Sequence, residues 1–397
     1  MNFASRLRPV LLLLLIYLLF TSWLPERIYY SIFQFGILLL TAALVFHAAL
    51  RELPLAFPPP VVAMYFFPLW GALQLAFGLS VYPWKTAVAT LDWTVFACGG
   101  WLACQLFVGW QPQLRFRSTL AILGASVGAI SLLHWYFSPG MILWTIPDPY
   151  AIRVCFPLLN HSHFAALEEL ALAPAVWLAM QNTKSPQFYM GASALMPCAV
   201  FATGSRSGSA IIAVELLVLL ALNLRVAPST NSAAGGFWMR RRAIVLVFVT
   251  LVLIAGAGWQ ELASRIAAPP RDLRAFFAAS TFEMVKAKPL AGFGLGNWDT
   301  VYPAFAHVDP GMFVEHAHND WLEWAAEGGL PFALIMLLLA GFALRRALSE
   351  PWCFGIFAVF IQSIVEFSLH KPALIALQFV ALGCLAGARS SRAAEVL

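Results

Sequence analysis

The stretch F-V-E-H-A-H-N-D-W-L-E-W-A-A-E-G-G-L-P-F-A-L-I-M-L-L-L-A-G-F-A-L-R-R, residues 313–346, decides the fold. It passes from a polar loop through a short helix into an apolar run closed by two arginines. Asp320-x-x-Glu323 reads as a capping box, with Asp320 at the N-cap and Glu323 reaching back. Trp321–Ala326 is then helical, and Gly328-Gly329 ends the turn. Pro331 opens the next helix, where its missing N–H costs nothing. An apolar run of this length, repeated along a chain, is the signature of helices that cross a bilayer.

The whole chain has the same character. Its 397 residues are 61% hydrophobic and 11% charged, with a mean hydropathy of +0.79. That composition excludes an ordinary soluble domain and predicts an all-α polytopic membrane protein, one integral membrane domain over 1–397. Arg6 and Arg8 precede an apolar run without a small-x-small site after it, so the first helix is expected to be retained. The six cysteines form neither a disulfide framework nor a metal-spaced set. The formal charge of +5 is better read by position than as affinity for nucleic acid.

Twelve spans are expected, near 9–24, 30–50, 56–80, 86–110, 118–138, 162–181, 187–203, 207–224, 242–260, 329–346, 352–370 and 372–388. Basic residues test their orientation. With a cytoplasmic N-terminus, the inner segments hold Arg6, Arg8, Arg51, Arg115, Arg117, Lys184, Arg225, Arg240, Arg241, Arg242, Arg345, Arg346, Arg389 and Arg392. The short outer loops hold only Arg27, Lys85, Arg153, Arg206 and Lys371. Both termini are therefore expected inside, with one long outer segment, 261–328, between helices 9 and 10. Residues 226–239 read as a flexible inner linker. Within the outer segment, 271–288 has apolar residues at helical spacing and basic ones between, as in a helix lying along the bilayer surface.

Polar residues gather on this outer side. Six of the eight histidines (161, 163, 307, 316, 318 and 370) fall there. Asp92, Glu168 and Glu366 lie about 6–9 Å inside outer span ends, at about 1.5 Å per residue. One site near the outer surface accounts for them better than a path across the bilayer. Each piece also has an ordinary explanation. His316 and His318 are readable as solvated loop residues, and Arg206 as an interfacial arginine. Asn160 or Ser162 could simply cap a helix, and G-F-G-L-G (292–296) could be a surface turn without the strand–helix context of a nucleotide loop. His-x-His beside acids could bind zinc, but Asp320 and Glu323 are taken up by capping and no third ligand is well spaced. No metal and no cofactor are expected.

Four separated motifs carry a resemblance: N-H-S-H-F-A-A-L (160–167), T-G-S-R-S-G (203–208), K-P-L-A-G-F-G-L-G-N-W (288–298) and H-A-H-N-D-W-L-E-W-A-A-E-G-G-L-P (316–331). In this order they resemble the O-antigen ligase family of bacterial membrane glycosyltransferases, which includes surface-polysaccharide polymerases. The resemblance implies transfer of a glycan from an undecaprenyl diphosphate carrier to an acceptor glycan or lipid A–core hydroxyl, at the periplasmic face of the cytoplasmic membrane. It places the family's catalytic histidine on His318, inside the outer catalytic loop 261–328, and its arginines on Arg206 and on Arg265 or Arg274. Arg153, Asn160, His161, His163, Gly294, Gly296, Asn297, His316 and Asn319 are the residues expected to meet substrate. Membrane lipids are the remaining expected partner, and nucleic acid is not one.

The chemistry suits those residue types. A departing diphosphate needs fixed positive charge, and arginine offers a planar fork to phosphate oxygens. An acceptor hydroxyl needs a base, for which His318 stands just before a helix N-terminus, with Asn319 or His316 expected to orient it. Gly329 matches the family's pattern ten positions after the Asn, whereas Phe332 departs from the small residues of ligases and favours a polymerase. A lipid-linked glycan flippase is the alternative from another class, and should show an internal repeat.

Overall fold

The computed structural model describes residues 3–138, 140–142, 146–147, 155–181, 185–226, 233–267, 273–309 and 311–394. In chain order the helices are α1 (Phe3–Thr21), α2 (Arg27–Arg51), α3 (Pro59–Ala76), α4 (Pro83–Leu106), α5 (Trp110–Phe137), α6 (His161–Met180), α7 (Pro186–Ala202) and α8 (Arg206–Val226). They continue with α9 (Ala233–Leu253), α10 (Trp259–Ala267), α11 (Arg274–Ala287), the single turn α12 (Trp298–Val301), α13 (Asp320–Ala347), α14 (Phe354–Gln362) and α15 (Pro372–Ala394). A two-residue strand pair, Met141–Ile142 with Ile146–Pro147, is the only sheet among the described residues. Proline opens α3, α4 and α7, where it is pre-set for a helix and forfeits no bond.

Eight of these helices, α1 to α6, α8 and α13, are long and apolar enough to cross a membrane. Against twelve expected spans, eight helices among the described residues are this long and apolar, with shorter apolar ones at 351–362 and 372–388. Two expected boundaries move. Helix α9 starts at Ala233, so part of the expected linker is helical; residues 227–232 lie outside the described set. The expected span 352–370 ends as a helix at Gln362. Residues 363–370 turn away instead, and the freed carbonyls of Ser363 and Glu366 accept the Asp320 N–H at 2.9 and 3.2 Å.

The chain divides into two compact units, each assembled from separate stretches. The first holds 1–112, 270–342 and 363–397. Its helices α4 and α15 meet along a seam of small residues: a Cβ on Gly383 would lie 1.8 Å from the Gly100 carbonyl oxygen. Only glycine lets two helix backbones approach that closely. Beside the seam, Phe67, Trp93, Phe332 and Phe379 form one aromatic core. The expected break in α13 is present, with Gly329 at φ 74° and ψ 176° between its two halves.

The second unit holds 113–269 and 343–362. The span residues of α6 are entirely buried in it. Arg117 lies 4.6 Å from the ring centres of both Trp177 and Trp352, a stacked cation within a helical core.

Orientation is open to a direct test. All six native cysteines are buried, so they should stay silent to an impermeant thiol reagent. Single cysteines at Thr300 and Met312 are expected to label from outside in intact cells with a permeabilised outer envelope. Those at Arg51 and Arg225 should label only after lysis. The reverse pattern would invert the arrangement.

Candidate active site

The first unit builds its site around the N-terminus of α13. The expected capping box is not what forms. Asn319 is the cap, its Oδ1 accepting the Leu322 N–H at 3.0 Å, and both carboxylates are thereby released to other partners. Asp320 accepts the Leu369 N–H at 2.9 Å and pairs with His370 Nδ1. Glu323 accepts the Ala317 N–H at 2.8 Å, meets His316 Nδ1 at 2.8 Å and stands 3.4 Å from His370 Nε2. Two adjacent residues of equal capping aptitude explain the misreading: the buried histidine decides which of them caps.

His370 is the hub of this cluster. Burial alone would lower its pKa, but the charge of Glu323, with the hydrogen bond to Asp320 and its charge, raises it to about 10. It is an imidazolium at neutral pH. His316, Glu323 and His370 each present one ligand-type atom, all within 4.8 Å of one another. The distances suit a cation, so the third ligand that the sequence spacing does not show is present, and a metal bound here would have to displace the proton His370 otherwise holds.

His318 takes a different set of partners. It adopts φ 54°, a left-handed conformation rare outside glycine and costing about 1–2 kcal/mol. Phe277 stacks on its ring at a centroid distance of 6.1 Å, and Phe367 meets it edge-on at 4.8 Å. Phe367 also stacks on His316 at 4.4 Å. The Nδ1 of His318 faces Glu366 Oε2 at 3.6 Å, an ion-pair rather than a hydrogen-bond distance. The other oxygen of Glu366 takes Arg274 at 2.7 Å, and Arg274 also donates to the Val365 carbonyl at 3.1 Å. The side chain of Glu366 is 2% exposed and that of His318 29%.

Arg274, Glu366 and His318 thus stand in a row, while Asn319 caps α13 and His316 meets Glu323. At 3.6 Å Glu366 makes no hydrogen bond to the ring, and His318 Nδ1 has no hydrogen-bond partner among the described residues, so the ring must close onto Glu366 before the carboxylate can fix the tautomer and leave Nε2 as the base. Of these partners, the sequence marks Glu366 only as a carboxyl near the outer surface, and His370 only as an outer histidine. It joins neither to the site.

The glycine strip positions this loop. Its backbone donates from Phe293 and Gly294 to the Ala326 and Glu327 carbonyls at 2.9 and 3.0 Å, and Gln74 donates to Ala291 and Glu327 carbonyls at 2.7 and 2.8 Å. A Cβ on Gly292 would lie 2.2 Å from the Glu327 carbonyl oxygen, and one on Gly329 2.2 Å from that of Leu290. The two glycines interlock strip and helix kink. The Trp298 N–H then reaches the Glu327 carboxylate at 3.0 Å, one turn beyond Glu323. Asn297 is fully buried, donating to Thr86 at 2.8 Å, and Gly294 is buried with it. Of the three strip residues expected to meet substrate, Gly296 is the one that lines a described cavity.

The other expected site residues lie in the second unit. T-G-S-R-S-G is a helix junction: Ser205 Oγ accepts the Gly208 N–H at 3.2 Å at the start of α8, and Gly204 has φ 70°. Arg206 is exposed and Arg265 half-buried. Asn160 caps α6, accepting from Ser162 and His163 at 2.8 and 3.3 Å. His163 is buried, while His161 keeps some surface. Arg153 lies outside the described residues.

The first unit thus sets His318, Glu366 and Arg274 in a row beside the N-terminus of α13. Residues 191–338 match the family described as O-antigen ligase, and the chain carries that family's domain there, in a multi-pass membrane protein. The match takes in three of the four motifs; N-H-S-H lies before it. No curated protein matches the chain.

Proposed function

We propose that this protein transfers a glycan from an undecaprenyl diphosphate carrier to a sugar hydroxyl at the outer face of the cytoplasmic membrane. The observation that carries the reading is the Arg274–Glu366–His318 row on the H-A-H-N loop of an O-antigen ligase domain. The acceptor hydroxyl attacks the anomeric carbon, the bond from that carbon to the diphosphate oxygen breaks, and the hydroxyl proton passes to His318 Nε2. The leaving diphosphate takes the bond's electron pair. Its negative charge calls for arginine, the role that the resemblance gives to Arg206 and Arg265. Arg274 is spent on Glu366 and serves the base instead.

The scheme uses no metal, its steps being carried by His318 and the arginines. Transfer is expected to persist at full rate in EDTA. Loss of activity with recovery on adding a divalent ion would overturn the metal-free scheme.

Polymerase and ligase share this chemistry and differ in acceptor. Phe332 no longer helps to choose, since it is fully buried in the aromatic core, 4.6 Å from Phe67 between ring centres. The N-H-S-H-F-A motif (160–165), associated more with exopolysaccharide members of the family, favours a polymerase. Deletion is then expected to leave single repeat units on the carrier and no long chains. Long carrier-linked chains over a bare lipopolysaccharide core would identify a ligase.

One observation favours the transporter reading. Glu168, Glu169 and Glu215 are buried, with no hydrogen-bond partner among the described residues on any carboxyl oxygen. Carrier flipping by the purified protein in vesicles, without transfer, would support it.

A further inference from the structure

The first unit contains a cavity of about 610 Å³ that the transfer scheme has not used. Its size falls within the roughly 300–1,000 Å³ of small-molecule sites. It opens beside the reacting loop: His316 lines it, and His318 follows two residues later, within about 7 Å of chain.

Its lining combines two chemistries. Trp84 and Phe313 present aromatic faces, 66% and 72% exposed. Asp299 and Glu315 present carboxylates, and Lys85 fixes the first of them, holding both Asp299 oxygens at 2.6 Å. Charge decides what such a cavity can hold. Five carboxyl side chains line it, against Arg27, Lys85 and two histidines. Burial raises the Glu327 carboxyl to about 7, so charged acids and bases nearly balance and the lining has no excess of positive charge to hold a diphosphate. A polyhydroxylated neutral ring needs none. Its apolar C–H face suits an exposed aromatic, and its hydroxyls donate to carboxylates.

We propose that this cavity is the acceptor subsite and takes the terminal sugar of an uncharged glycan, the ring lying on Trp84 and Phe313 with its hydroxyls on Asp299 and Glu315. The assignment rests on the transferase reading, because it is the acceptor hydroxyl that His318 must reach.

The test uses the full-length protein in nanodiscs and a binding readout that needs no turnover. Neutral disaccharides of hexose and N-acetylhexosamine, and their uronic acid counterparts, are titrated by saturation-transfer NMR. The neutral set is expected to bind and the acidic set to bind more weakly. Trp84→Ala is expected to weaken neutral binding about tenfold, a loss of roughly 1.4 kcal/mol. Glu315→Gln should narrow the gap between neutral and acidic sugars, and His318→Ala should bind as wild type does. Both cavity substitutions are at exposed positions, so folding should be preserved. Preference for the acidic set, or unchanged binding in Trp84→Ala and Glu315→Gln, overturns the cavity assignment. Neutral binding without any transfer from a carrier-linked donor overturns the transferase reading, and the acceptor role with it. Transfer whose acceptor KM is indifferent to Trp84→Ala overturns the cavity alone.

Discussion

His318→Ala is expected to reduce glycan transfer by about 10²–10⁴-fold, the usual worth of a positioned general base. Insertion and expression should be unchanged, since the ring is on a loop and partly exposed. Glu366→Gln should follow it closely for a different reason. An amide in place of the carboxylate no longer favours a proton on Nδ1, so Nε2 is no longer dependably the free base. Glu366 is a positioning residue, and its signature is therefore in the pH–rate profile: the rising limb should shift in Glu366→Gln, and Glu366→Asp should recover part of the rate. A uniform loss with no change in profile would reduce Glu366 to a structural anchor for Arg274. His316→Ala tests the choice of ring, since His316 belongs to the His370 cluster and should cost transfer less than His318→Ala. If activity vanishes only with His316, the base has been misassigned.

The second large effect is on stability. Asp320→Asn removes one of the two carboxylates that hold His370 and leaves a buried imidazolium half-paired. Breaking a buried pair from one side costs about 3–5 kcal/mol. A lower unfolding temperature in detergent should report it, and the double variant Asp320→Asn/His370→Gln should regain part of the loss. The pH dependence has a definite sign. The folded-state pKa of His370 is raised from 6.5 to about 10, so its contribution is complete below about pH 6.5 and is lost as pH rises toward 10. Wild-type stability should decline over that window, and Asp320→Asn should flatten the decline. A pH-independent unfolding temperature between 7 and 10 would show that His370 is not the proton holder.

How far the chain can be read in advance depends on where each signal lives. Pro59, Pro83 and Pro186 mark helix starts by local chemistry, and Gly329 with Pro331 marks the kink in α13 the same way. His318 is legible through its motif. The cluster around it is not, because 352–370 reads as one apolar run. Nothing local requires a break after Gln362. The break is stable because the Asp320 N–H takes up the carbonyls of Ser363 and Glu366, which no window of sequence displays. The same tertiary contacts bring Glu366 and His370 to the site and decide the cap in favour of Asn319. A glycine-rich strip such as 292–296 reads as a surface turn. Here Gln74 and Thr86, more than two hundred residues earlier, cover it by bonding Leu295 and Asn297.

The tying of the outer loop to α13 has a consequence for how such a protein can diversify. The Trp298 N–H is held by Glu327 and the Ala317 N–H by Glu323, two carboxylates one helical turn apart. The residues between those anchors leave and return at a fixed gauge. Residues 303–312 line no part of the proposed acceptor cavity, so insertions or exchanges there should leave both His318 and the sugar-binding residues where they are. Length can drift in this segment without retuning the chemistry, and a chimaera carrying another 303–312 segment between the same two anchors should keep its base and its acceptor.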